Sequence, residues 1–208
     1  MKGIVDSVIP TDLPTKLMDH TQATQNNTQR IKSRDLVTTG MFTAIICVLS
    51  QISIPVPPIP FTLGLFAIFL TGALLPPRYA FLSVMTYLLL GAFGVPVFVG
   101  FKGGLQNLVG MTGGYLAAYP LMALIIALSY KMIKKHKILA LSVGMTSALL
   151  LCYILGTVWF TYVTDYSFYK ALTLCVFPFI AFDIIKIVLA ISFSLLLRKR
   201  VMQNIWQG

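Results

Sequence analysis

Between Val176 and Arg198 the chain is apolar apart from two ionisable groups, Asp183 and Lys186. The run is about 20 residues, the length of a helix that crosses roughly 30 Å of hydrocarbon. Pro178 suits the first turn of such a helix, where a missing N–H costs nothing. The basic cluster Arg198-Lys199-Arg200 closes it. Each ionisable group inside a spanning segment costs about 2.5–3.5 kcal/mol on insertion scales. Spaced i and i+3, the two share one helix face and can pair or face one cavity together. An intramembrane charged pair of this kind marks a candidate functional site, and the other segments must build around it.

Composition agrees with a membrane chain. Of 208 residues, 57% are hydrophobic and 11% charged, against about 25% charged in soluble domains. The chain reads as an all-α integral membrane protein with one membrane domain. A net charge of +10 raises nucleic acid as a partner. However, the basic residues cluster at the ends of apolar runs, and the aromatics lie inside those runs. This is anchoring at the cytoplasmic face of a lipid bilayer, and nucleic acid is set aside. Cys47, Cys152 and Cys175 are odd in number and form no CxxC, so they read as free buried thiols. His20 and His136 have no neighbours that would complete a metal site, and no cofactor is expected.

Prolines and glycines divide the chain. Residues 1–34 are polar with little apolar periodicity and read as a flexible cytoplasmic tail without a cleavable signal peptide. Residues 35–201 form the membrane domain, and 202–208 a short C-terminal tail. Spans are expected at about 36–51, 61–75, 79–93, 112–130, 138–160 and 177–197, a bundle of six transmembrane helices. The second and third are short, which predicts tilt or burial inside the bundle. Ile52–Pro60 is too rich in proline for helix, Gly94–Gly114 is a glycine-rich loop, and Thr161–Lys170 is a polar one.

Six spans with both termini inside give a clear charge asymmetry. The cytoplasmic side then holds Lys2, Lys16, Arg30, Lys32, Arg34, Arg78, Lys131, Lys134, Lys135, Lys137 and Arg198 to Arg200. The outer side holds Lys102 and Lys170, and Lys186 lies within a span. The positive-inside rule fixes that orientation. The proline-rich, glycine-rich and Thr161–Lys170 loops fall outside, on the side nearer Asp183. Irregular backbone at membrane depth needs cover from protein or an aqueous cavity. An outward-facing pocket follows, roofed by these loops and walled by the last helix.

Two readings of the charged pair stand. Asp183 can accept from a ligand N–H, and Lys186 can donate to a ligand carbonyl or carboxylate. Alternatively the two neutralise each other as a structural pair. In the glycine-rich loop, backbone amides with Gln106, Asn107, Thr112 and Tyr115 can contact a ligand, or the glycines serve only turns and close packing. Gly40 and Ala44 form a small-xxx-small face on the first span, suited to a partner helix or to internal packing. No nucleophile–base arrangement or zinc spacing is present. Transport or binding is favoured over an enzyme.

Several motifs in order resemble one family. They are Ile59-Pro-Phe-Thr-Leu63, Leu70-Thr-Gly-Ala-Leu-Leu-Pro-Pro-Arg78, Tyr87 to Phe98, Gly103-Gly104, Gly110-Met-Thr-Gly-Gly-Tyr115 and Phe177-Pro-Phe with Asp183-Ile-Ile-Lys186. Together they resemble BioY, the biotin-capturing substrate (S) component of energy-coupling-factor (ECF) transporters, over about residues 36–200. Where the family often has Gln after Phe-Thr-Leu, this chain has Gly64. Where it usually has Pro before Thr-Gly-Gly-Tyr, this chain has Met111.

The resemblance implies uptake of biotin through an outward pocket, coupled to a membrane scaffold protein and two cytoplasmic ATPases. It implies biotin contact by Asp183 and Lys186, and scaffold contact by Gly40 and Ala44. The pocket is expected to draw also on Phe61, Thr62, Phe98, Gly104, Asn107, Thr112 and Tyr115. The ureido ring of biotin offers two N–H donors and a carbonyl acceptor, which a carboxylate and an ammonium one turn apart can satisfy. Its thiophane ring and valeryl chain suit Phe61, Phe98 and Tyr115. Whether Lys186 meets the ureido carbonyl or the carboxylate stays open at this point. So do a shared energy module, a dedicated one, and a homo-oligomer working alone. The alternatives are another vitamin, thiamin or riboflavin, and a membrane protein that transports nothing.

Overall fold

The computed structural model of the chain describes residues 33–133 and 135–199. The expected tails, residues 1–34 and 202–208, lie outside the described residues apart from Ser33 and Arg34. The chain divides between Leu36 and Val37 into two units, and the second carries the site.

The elements are α1 (Ser33–Gln51), β1 (Ser53–Ile54), β2 (Phe61–Thr62), α2 (Gly64–Leu74), α3 (Pro77–Ala92), α4 (Leu105–Val109), α5 (Gly113–Met132), α6 (Lys137–Thr164), α7 (Phe168–Cys175) and α8 (Phe177–Leu197). Local chemistry sets many of the boundaries. Pro77 and Pro178 sit in the first turns of α3 and α8, where no N–H is required. Asp165 adopts the left-handed conformation that ends α6. Ser167 then caps α7, its hydroxyl accepting from the Lys170 amide.

Two boundaries differ from the sequence reading. Phe61 and Thr62 are strand, not helix, because they pair antiparallel with Ile54 and Ser53 across the proline-rich loop. Residues beyond 160 extend α6, and the apolar stretch before α8 is the separate helix α7.

α1, α5, α6 and α8 are long and apolar enough to cross a membrane. α2, with 11 residues, rises only about 16 Å. It is apolar on every side, and all its residues but Phe66 are buried, as expected of a helix enclosed by others. α5 packs along α6 and against α2 and α3, and α2 also packs against α8. α1 joins α3 by hydroxyls: Thr43 donates to the Ser83 carbonyl at 3.0 Å, and Ser83 donates to the Thr39 carbonyl at 2.9 Å.

The two ends of this unit differ in kind. α2, α5 and α8 begin beside the proline-rich loop, the glycine-rich loop and Cys175. They end beside Arg198, which donates from Nε (2.8 Å) and Nη2 (2.6 Å) to the Ala73 carbonyl and lies 3.8 Å from the Tyr130 ring centroid.

Candidate functional site

α8 sorts its side chains by face. Phe179, Asp183, Lys186, Ala190 and Ser194 are buried, a stripe at helical spacing. Ile184, Ile185 and Val188 between them are more than half exposed. Asp183 and Lys186 are 3% and 6% exposed, so the two costly groups point away from the lipid-type face. They meet as an ion pair, Lys186 Nζ donating to Asp183 Oδ1 at 2.9 Å.

Two further groups complete this polar centre. The Tyr153 hydroxyl on α6 donates to Asp183 Oδ2 at 2.6 Å. Lys186 Nζ lies 3.9 Å from the centroid of the Phe61 ring, a cation–π arrangement that is strong where water is excluded. Phe61 is held in turn by Phe179, stacked at 6.4 Å, and by Phe182, edge-on at 5.1 Å. The carboxylate therefore has both oxygens engaged, and the ammonium has a carboxylate and an aromatic face.

This centre opens on a cavity of about 670 Å³, inside the range of small-molecule sites. One wall is the segment from Ser53 to Thr62, another runs from Phe98 to Lys102, and Asp183 and Lys186 belong to a third. Phe61, Thr62, Phe98, Asn107, Thr112 and Tyr115 all line it, as do Tyr119 and Tyr153. None of Thr161–Lys170, expected in the roof, is among the lining residues.

Gly104 also lies off the cavity wall. Its amide donates to the Gly91 carbonyl at 2.6 Å, and its φ of +98° is a conformation that glycine adopts without strain. Its role in the structure is to let the loop fold onto the end of α3. The Asn107 side chain donates to the Gly103 carbonyl at 2.8 Å, and Thr62 Oγ1 accepts from the Gly64 amide at 3.1 Å. Phe98 is buried edge-on to Tyr87 at 5.6 Å.

The glycine-rich loop is pinned at two points. Gln51 of α1 accepts from the Phe101 amide at 2.9 Å, and Trp159 of α6 donates to the Gly110 carbonyl at 2.9 Å. Cys175 lines the cavity, and burial pushes its thiol up to about 11, so at neutral pH it is a protonated thiol and no nucleophile. Among the described residues no group of His, Cys, Asp or Glu gathers that could hold a metal ion.

Gly40 and Ala44 lie elsewhere. Both are exposed on α1, away from the Thr43 hydroxyl and the Thr39 carbonyl that bond to α3. Among the described residues nothing covers the small-residue face, while the neighbouring face is used for internal packing.

The sequence model of the BioY family matches residues 22–203. The chain belongs to the BioY family. Among its curated relatives is the biotin transporter BioY of Thermotoga maritima, 44% identical over 80% of this chain and 96% of that protein. The biotin transporter BioY2 of Lactococcus lactis is 36% identical over 81% of this chain and 92% of that one. A crystal structure of the S-component for biotin from an ECF-type ABC transporter superposes with a TM-score of 0.79. That match covers 86% of this chain and 98% of the other, at 26% identity. A BioY protein of this architecture, with several apolar helices of membrane length, is a multi-pass membrane protein.

Proposed function

We propose that the chain takes up biotin across the cytoplasmic membrane as the substrate-binding component of an ECF transporter. It is a transporter component and not an enzyme, as the family is. α1, α2, α3, α5, α6 and α8 serve as the six transmembrane segments, with α2 enclosed by the others. The cavity faces outward, and both termini are cytoplasmic, the orientation that the basic clusters favour. A membrane scaffold protein docks on the exposed Gly40 and Ala44 face, and two cytoplasmic ATPases supply the energy. The alternative to this coupling is a homo-oligomer that works alone, and the alternative ligand is another vitamin, thiamin or riboflavin.

The observation that carries this reading is the buried Asp183–Lys186 pair opening on a cavity lined with aromatic side chains. In the proposed complex the pair meets one polar end of biotin. Phe61, Phe98 and Tyr115 pack its rings and chain, and Thr62, Asn107 and Thr112 offer polar contacts. Gly104 shapes the loop that carries Asn107.

Calorimetry on the purified chain without partners tests the reading. Biotin should bind saturably, and thiamin and riboflavin in excess should not displace it. Asp183→Asn should cost about a hundredfold or more in affinity, since it leaves Lys186 uncompensated. A folded wild type that ignores biotin would end the ligand assignment. Full affinity in Asp183→Asn would end the site assignment.

A further inference from the structure

The cavity has a second cation that the family motifs leave unassigned. Lys102 lines the same cavity as Asp183 and Lys186. The three differ sharply in exposure: Asp183 and Lys186 are buried, and Lys102 is exposed. One cavity thus has a dry polar end and a wet cationic rim. Among the described residues the Lys102 ammonium has no ion-pair partner, and Asp183 is the one carboxylate on the cavity wall. Because Asp183 and Lys186 compensate each other, the wall carries a net charge of about +1, placed at the rim.

The backbone beneath Lys102 is fixed. Phe98 and Lys102 form an isolated antiparallel bridge, the Phe98 amide donating to the Lys102 carbonyl at 2.9 Å and the reverse bond spanning 3.2 Å. Phe98 is itself 3% exposed. Gly103 beyond it lies so close to the Gly94 and Val95 carbonyls that a Cβ there would sit 2.6 Å from each. This anchor keeps the Lys102 ammonium within one side-chain length of the cavity wall that the residue lines.

These facts choose between the two ways of placing biotin, and the choice rests on the biotin reading above. A carboxylate driven to the buried end would lose its water and lie beside Asp183, a like charge in a low-dielectric site. The ureido head carries no net charge. Its N–H groups can donate to Asp183 and its carbonyl can accept from Lys186, so it enters without unbalancing the pair. The valerate carboxylate then stays near water at the rim. We infer that biotin binds ureido end inward, and that Lys102 is the residue that recognises its carboxylate and makes this chain prefer the free acid to its neutral derivatives.

The test pairs a change in the ligand with a change in the protein. Biotin and biotin methyl ester are titrated into the full-length wild type, Lys102→Gln and Lys102→Arg. The wild type should favour the acid over the ester. Lys102→Gln should lose about tenfold for the acid, the size of one charge-assisted hydrogen bond, and keep its ester affinity within about twofold. Lys102→Arg should retain the preference, and raised salt should narrow it in the wild type. If Lys102→Gln weakens acid and ester equally, or neither, Lys102 does not read the carboxylate and the inference falls. In that outcome wild-type biotin binding still stands. A wild type that binds no biotin removes both readings at once.

Discussion

Tyr153 and Asp183 lie 30 residues apart in the chain, on α6 and α8, and are joined by a hydrogen bond of 2.6 Å. Since Lys186 takes the other carboxylate oxygen at 2.9 Å, the plane of the Asp183 carboxylate is set from two helices. A carboxylate held this way is organised before a ligand arrives, which lowers the entropy lost on binding. Tyr153→Phe keeps the ring and removes the donor. It should leave the fold intact and weaken biotin binding by about three- to tenfold, measured by calorimetry with a thermal melt as control. Unchanged affinity would mean that Tyr153 merely satisfies its own hydroxyl.

What the sequence makes legible here follows from how local each signal is. The Asp183–Lys186 pair stands out because two charges interrupt an apolar run, a cost visible without any structure. The spanning helices stand out because prolines, glycines and lysine clusters bound them. Tyr153 carries no such mark, being one aromatic among many in a long apolar helix. Its role depends on how α6 and α8 meet. The strand at Phe61 and Thr62 is hidden for the same reason, since its partner lies across the proline-rich loop. The placement of Lys102 on the cavity wall depends on how a glycine-rich loop folds back on α3, and no periodicity reports that. α7 was hidden because it is too short for its pattern to separate from the apolar stretch before α8.

Gly156 provides the seat for the Tyr115 ring. A Cβ at Gly156 would run into the ring atoms of Tyr115, so the ring rests directly on the α6 backbone. Gly156→Ala should push the ring toward the cavity that Tyr115 lines, and biotin affinity should fall by about tenfold. The cause is checked by a double-mutant cycle. With the ring removed by Tyr115→Ala, the added methyl at residue 156 should cost little more. An undiminished cost in that background would rule out the ring as the target.

Arg198 stabilises the end of the unit opposite the cavity. In an ideal helix the Ala73 carbonyl would accept from the amide four residues on, but that residue is Pro77, which has no N–H. Arg198 supplies the missing donors and stacks on Tyr130. Arg198→Gln should cost about 1–3 kcal/mol through the unpaired carbonyl. It should lower Tm in detergent by several degrees and leave biotin affinity within twofold, since Arg198 does not line the cavity. Arg198→Lys should restore little, because an ammonium lacks the planar fork that serves the carbonyl and the ring together.

The exposed face of α1 separates capture from transport. Gly40 has no heavy atom within 4 Å of where a Cβ would sit, and Ala44 is exposed one turn on. Both positions are exposed among the described residues, so Gly40→Leu and Ala44→Leu should leave folding and biotin binding as they are. If a scaffold helix packs on this face, the same substitutions hold it away, since close approach requires small residues on the contact line. The expected result is full biotin affinity in the purified variant, with loss of co-purifying scaffold and ATPases and loss of biotin uptake by cells. Undisturbed co-purification with undisturbed uptake would place the scaffold contact on another face. Loss of uptake without any scaffold or ATPases bound to the wild type would instead favour packing between copies of this chain through α1.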